Sequence, residues 1–149
     1  VSEDFKLTSG TWVSVGALRL RAVTALAPYA SDVVIAGHDR DEIGLLIFPS
    51  PAMRAKVQHA AETSHAGKAM AMDDEVRARI AQALAQLAQD AGSSQRAARA
   101  AILASPPSLE QGEITDKGYV NQRAVLRLRE EDVARLYSDC PSVIRLPLP

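Results

Sequence analysis

Cysteine is nearly absent: Cys140 is the only one in 149 residues, so no internal disulfide can form and no cysteine cluster can hold zinc. Aromatic side chains are scarce at 4%, which argues for a thin, helix-rich core rather than a dense aromatic sandwich. Neither sign of charge dominates. Seventeen Lys and Arg against eighteen Asp and Glu leave a net charge of −1, without the basic excess or stripe that attracts nucleic acid. No apolar run approaches the roughly eighteen residues of a membrane helix, and no signal-peptide pattern opens the chain. A reducing, cytoplasmic setting fits these absences, with neither nucleic acid nor membrane as an expected partner.

What is there is an ordinary globular balance, 47% hydrophobic over 149 residues and much of it alanine. That suffices for one domain with its own core and is short for two, so residues 1–149 read as a single unit. Val1-Ser2-Glu3-Asp4-Phe5-Lys6 runs straight into patterned sequence without a polar fray. The expectation is that the chain begins inside something larger.

Phe5-Lys6-Leu7 and Trp12-Val13-Ser14-Val15 alternate apolar and polar residues around Thr8-Ser9-Gly10-Thr11, a β-hairpin pattern with Gly10 in the turn. Leu18, Ala22, Val23 and Leu26 predict a short helix over 17–26, closed by Pro28. Asp32 to Ala36 and Ile43 to Phe48 predict an antiparallel pair joined by a loop through His38, Asp39 and Arg40. Pro51 can open a helix toward Ala61, and the small, polar 63–72 stretch reads as a flexible connection. Asp73 or Asp74 can cap the clearest helix, with Val76, Ile80, Leu84 and Leu87 at helical spacing and Gly92 after it. A strand over 98–104, one last helix over 121–137 and an irregular tail over 138–149 complete the reading. The predicted class is α+β: an opening hairpin and a small antiparallel sheet, flanked by helices.

Most candidate chemistry dissolves into structure. Thr8-Ser9-Gly10-Thr11 lacks the several glycines of a phosphate loop. His38, His59 and His65 form no ligand set, so no metal site is expected. No nucleophile elbow exists, and Cys140 has no basic neighbour closer than Arg135 or Arg145. Arg77, Arg79, Arg96 and Arg99 read as solvated charges. Arg127, Arg129 and Arg135, among Glu130, Glu131 and Asp132, read as an exposed salt-bridged face. One stretch stands out. Gly112-Glu113-Ile114-Thr115-Asp116-Lys117-Gly118-Tyr119-Val120-Asn121-Gln122-Arg123 packs an acid, a hydroxyl, a lysine and an arginine around a glycine turn before a helix. A cation on such a turn is either a solvated surface charge or a mobile arm for an anionic reaction centre.

Two phrases carry a resemblance. Phe5-Lys6-Leu7-Thr8-Ser9-Gly10-Thr11-Trp12-Val13 resembles the opening of the C-terminal domain of adenylate-forming acyl- and aryl-CoA synthetases, and Gly112 to Arg123 resembles their last, lysine-bearing motif. The fuller phrases from Leu7 to Gly16 and from Gly112 to Leu126 are closest to feruloyl-CoA synthetases, and the likeness spans Asp4 to Tyr137. It implies a two-step ligase using ATP, Mg2+ and coenzyme A, with a C-terminal domain that swings about a hinge between steps. On this resemblance Lys117 serves adenylation, while Lys6, Gly10 and Trp12 line the coenzyme A path. The hinge lies in about residues 1–4, at Glu3 and Asp4, and the ATP- and acyl-binding N-terminal domain is the partner. The sequence departs from the family in two places. Aligned without gaps on Thr115 and Gly118, the family's lysine position falls on Tyr119, two residues after Lys117. Either the turn is remodelled so that Lys117 reaches the same spot, or the role is absent or filled differently. Leu18-Arg19 replaces the usual acidic pair after the hairpin. The glycine-rich ATP loop and acyl pocket do not occur in these residues, so the chain alone is expected to be inactive. A catalytically idle binding or regulatory module with the same fold is the alternative.

Overall fold

A computed structural model describes residues 4–53, 74–90, 97–103, 105–139 and 143–145. Phe5–Lys6 (β1) and Trp12–Val13 (β2) pair antiparallel as the opening hairpin. Val15–Leu26 (α1) follows, then Ala30–Ala36 (β3) and Ile43–Pro49 (β4), which pair antiparallel. Residues 51–53 are helical, as Pro51 suggested; the rest of that segment, the 63–72 connection and Gly92 lie outside the described residues. Asp74–Asp90 (α2) and Ala97–Ile102 (β5) come next, then Gln122–Leu128 (α3), Glu130–Leu136 (α4) and Ile144–Arg145 (β6).

The four-stranded sheet runs β3-β4-β5-β6, with β4 at its centre and buried along its whole length. Alternation sorts its side chains to two faces. Val33, Ile35, Leu45, Ile47, Ala100 and Ile102 pack against Leu18, Ala22 and Leu26 of α1 and Ile80, Leu84 and Leu87 of α2. On the other face Val34, Leu46, Phe48, Ala101 and Leu103 meet Val120, Val125 of α3 and Leu136 of α4. The sheet is sandwiched between two helical layers.

Three expectations change. The sheet is mixed, because β4 and β5 run parallel: the chain returns to the same end through a connection carrying α2, which a tight hairpin cannot do. The single helix over 121–137 is two, broken at Arg129 with φ −114° and ψ 39°. Glu130, Glu131 and Asp132 occupy the first turn of the second helix, where acidic side chains favour a new N-terminus. The tail contributes β6, which pairs Ile144 with Ala100 and Arg145 with Arg99.

Candidate functional site

Lys117 stands at the tip of a small hairpin whose construction repeats that of the opening one. Thr115 N donates to Tyr119 O and Gly118 N to Thr115 O, each at 2.8 Å, with Gly118 at φ 85°. In the opening turn Leu7 N donates to Thr11 O and Gly10 N to Leu7 O, each at 2.9 Å, with Gly10 at φ 86°. Both match the three-residue loop in which a tight turn is followed by a left-handed glycine. An Ile114–Val120 bridge closes the lysine hairpin, and Val120 anchors it in the core. The Lys117 side chain is exposed and makes no hydrogen bond or ion pair among the described residues.

The base of this hairpin is held by a buried ion pair. Glu113 is 1% exposed. Arg129 Nε donates to its Oε2 at 2.7 Å and Arg129 Nη2 to its Oε1 at 2.9 Å, a bidentate fork. Ser108 N donates to the same carboxylate at 2.8 Å. Arg129 spends its remaining donors on Ser105 O, Ser105 Oγ and Pro106 O, and its guanidinium lies 5.0 Å from the Phe48 ring centroid. The hydrogen bond from Arg129 holds the Glu113 carboxyl below the ordinary carboxylate range, against the opposing effect of burial. At the far end of the hairpin, Asn121 caps α3 by accepting from Ala124 N, and its own N–H donates to Glu113 O at 2.7 Å. Gln122, 2% exposed, accepts from Ile35 N at 2.9 Å and donates back to Ile35 O. Its amide thereby mimics a neighbouring strand along the β3 edge.

The opening hairpin forms one wall of a cleft of about 600 Å3, with Asp4, Lys6 and Trp12 facing His38 of the β3–β4 loop and Arg123 and Leu126 of α3. The Lys6 ammonium sits 5.8 Å from the Trp12 ring centroid, and Trp12 is 53% exposed. Thr8 ties the hairpin to the β3–β4 loop, its N–H donating to Arg40 O at 3.0 Å and its hydroxyl bonding Asp41. Asp4 accepts from Val15 N at 2.9 Å, giving α1 the cap that Ser14 does not supply. Leu18 is fully buried, and Arg19 pairs with Asp32 of β3, so the pair that departs from the family pattern serves packing here. Among the sequence-predicted residues, Asp4, Lys6 and Trp12 therefore share one cleft. Gly10 lies at the exposed turn beside it. Lys117 is not among the residues lining that cleft, and Glu3, with Cys140, His59 and His65, lies outside the described residues.

Several arginines are less solvated than expected. Arg99 Nε donates to Glu42 Oε1 at 2.7 Å and Nη1 to Leu136 O, and Arg99 lies 5.3 Å from the Tyr137 ring centroid. The Tyr137 hydroxyl donates to Glu42 O at 2.8 Å, and burial pushes its pKa well above the ordinary tyrosine value. Arg135 reaches Ile102 O as well as Asp132. His38 remains an exposed loop side chain beside Asp39. Among the described residues, no three His, Cys, Asp or Glu side chains cluster to hold a metal, and no helix is long and apolar enough to cross a membrane.

A family model described as the AMP-binding enzyme C-terminal domain matches residues 17–140, taking in the lysine hairpin, Glu113 and Arg129. The chain belongs to this family. The fold repeats in the adenylation domain of a carboxylate reductase from Mycobacterium chelonae, at 19% identity and a TM-score of 0.68 over 91% of this chain. An A-PCP didomain of a carboxylic acid reductase from Segniliparus rugosus, in complex with AMP, gives 21% identity and a TM-score of 0.66 over 90%. The A domain from the same organism, with AMP and a co-purified carboxylic acid, gives 19% and 0.64 over 90%. This chain spans only 17–19% of the length of those structures. No curated protein sequence matches it.

Proposed function

We propose that this AMP-binding C-terminal domain serves an AMP-forming acid–CoA ligase, of the hydroxycinnamate or ferulate kind, by presenting Lys117 for adenylation and the opening hairpin for thioester formation. The observation that carries this is a lysine, without a partner among the described residues, at the tip of a hairpin with a fixed base, in a chain of this family. In the first step a carboxylate oxygen attacks the α-phosphorus of ATP and pyrophosphate leaves. Negative charge grows on the phosphoryl and carboxylate oxygens, where a compact ammonium is well suited to stabilise it. In the second step the thiolate sulfur of coenzyme A attacks the acyl carbon, the acyl–phosphate C–O bond breaks and AMP departs. Lys6, Gly10 and Trp12 line the path of that thiol, an aromatic wall beside a bare glycine turn, with the hinge at Glu3 and Asp4 exchanging the two faces. ATP, Mg2+ and the acid are held mainly by an N-terminal domain, and the setting is cytoplasmic. Among the described residues no three His, Cys, Asp or Glu side chains cluster to hold a metal, so Mg2+ would be held by the N-terminal domain.

The reductase adenylation domains favour a second reading of the acceptor. One of them is joined to a PCP unit, so the acyl group here could pass to a carrier-bound thiol instead of coenzyme A. Adenylation and the role of Lys117 are common to both readings.

In the enzyme that carries this chain with an ATP-binding domain, Lys117→Ala should slow pyrophosphate release by about a hundredfold or more, the loss of one transition-state charge contact. Thioester formation from supplied acyl-adenylate should be largely spared, while substitutions at Gly10 or Trp12 should show the reverse pattern. Lys117→Ala leaving both half-reactions intact would instead favour an idle binding or regulatory module, as the offset between Lys117 and Tyr119 allows.

A further inference from the structure

We propose that Glu113 and Arg129 are positioning residues whose bidentate pair sets where the lysine hairpin presents Lys117, so that they govern adenylation and not thiol transfer; this rests on the adenylation role of Lys117. Between its base and its tip the hairpin is unequally held. Among the described residues, 116–118 are restrained only by their own turn, with Gly118 N bonded to Thr115 O. Val120 packs the outgoing strand of the hairpin into the core, and the incoming strand is held at the base. There Glu113 takes both prongs of Arg129 and the Ser108 N–H, its backbone N–H donates to Ser108 O, and its carbonyl accepts from Asn121. Arg129 in turn sits at the break between α3 and α4 and grips Ser105 and Pro106 with its other donors. One ion pair thus fixes both the strand entering the hairpin and the helix leaving it. A lysine four residues along the chain from Glu113 is aimed by that anchor as a lever is aimed by its pivot. Small displacements at the pivot become larger ones at the ammonium, and misplacement of about 1 Å can cost a hundredfold in rate.

The pair has features a purely stabilising contact does not require. It is bidentate with a buried carboxylate, and such an ion pair is a weak means of stabilisation but a directional one. Its carboxylate belongs to the lysine segment itself, whereas the packing of α3 and α4 on the sheet is already supplied by Val125 and Leu136.

The test compares Lys117→Ala, Glu113→Gln and Arg129→Lys in the enzyme that carries this chain with an ATP-binding domain. Each is checked for folding by circular dichroism and thermal melting. Glu113→Gln and Arg129→Lys should each slow pyrophosphate release by about tenfold to a hundredfold, mainly in kcat. Thioester formation from supplied acyl-adenylate should stay within about twofold of the parent. Amide exchange should quicken in 113–121 and stay unchanged in β3 and β4. The proposal is overturned if the folded pair variants keep parental adenylation or parental exchange while Lys117→Ala is slow, and the lysine reading then survives. It is equally overturned if both half-reactions fall together in step with the melting temperature. Should Lys117→Ala leave adenylation intact, the lysine reading fails and this inference with it. If both pair variants fail to fold, Ser105→Ala, which removes one bond to the guanidinium and spares the ion pair, must show the same split at smaller amplitude, or the proposal is wrong.

Discussion

Gly44 shows how a single atom decides a contact in this fold. It sits in the central strand, and a Cβ built there would lie 2.5 Å from Leu136 Cδ2 and 3.3 Å from the Tyr137 hydroxyl. The absent side chain is what lets α4 settle on β4, so that Tyr137 can donate to Glu42 O and stack near Arg40 and Arg99. Gly44→Ala should therefore lower stability by about 1–3 kcal/mol, the usual cost of overpacking, read as a lower urea midpoint with an unchanged denaturant slope. No pattern in the sequence singles out this glycine, because its neighbours in space are about ninety positions away. The Glu113–Arg129 pair was hidden because a nearer set of charges offers itself to Arg129. Arg129 sits among Glu130, Glu131 and Asp132, which look like its partners on an exposed helix, yet the side chain turns to an acid sixteen residues upstream.

Among the elements, local signals were strong where a cap or a turn supplied them. Periodicity starts the last helix at about Asn121, and the structure adds that Asn121 caps α3 by accepting from Ala124 N at 3.2 Å. Asn121→Ala should cost about 1 kcal/mol in thermal or urea unfolding, as loss of an N-cap usually does. A greater loss would show that its backbone bond to Glu113 O depends on the cap as well. The opening hairpin was legible from alternation around Gly10, and α2 from Val76, Ile80, Leu84 and Leu87, all buried. The break between α3 and α4 was not legible. Helical periodicity continues across it, while Arg129, at the break, turns its side chain to Ser105 and Pro106 beyond the helix. The parallel pairing of β4 with β5 was missed because strand direction depends on how a long connection returns, and periodicity is blind to that.

Across the whole molecule, the cleft and the lysine hairpin are separate features, and the proposed function uses them in different steps. Lys6 and Trp12 share a cavity with His38 and Arg123, and Lys117 is not among its lining residues. On the proposed function, the 149-residue chain by itself should form neither acyl-adenylate nor thioester, since it brings one wall of a two-walled site. Incubation with ATP, ferulate and coenzyme A, followed by chromatography for the thioester, checks this. Product above the enzyme-free control would overturn the proposal that a further domain is needed.

From the residue order alone came the class of fold, the opening hairpin, the main helix, the antiparallel β3–β4 pair and the lysine turn as the stretch to watch. Each depends on neighbours within a few positions, where alternation, caps and glycine turns act directly on the backbone. Tertiary structure alone decided the mixed sheet, the strand-like grip of Gln122 on Ile35, the bare contact at Gly44 and the buried partner of Arg129. Those depend on groups 16 to 93 residues apart that meet only after the layers close, and water is expelled from them only then.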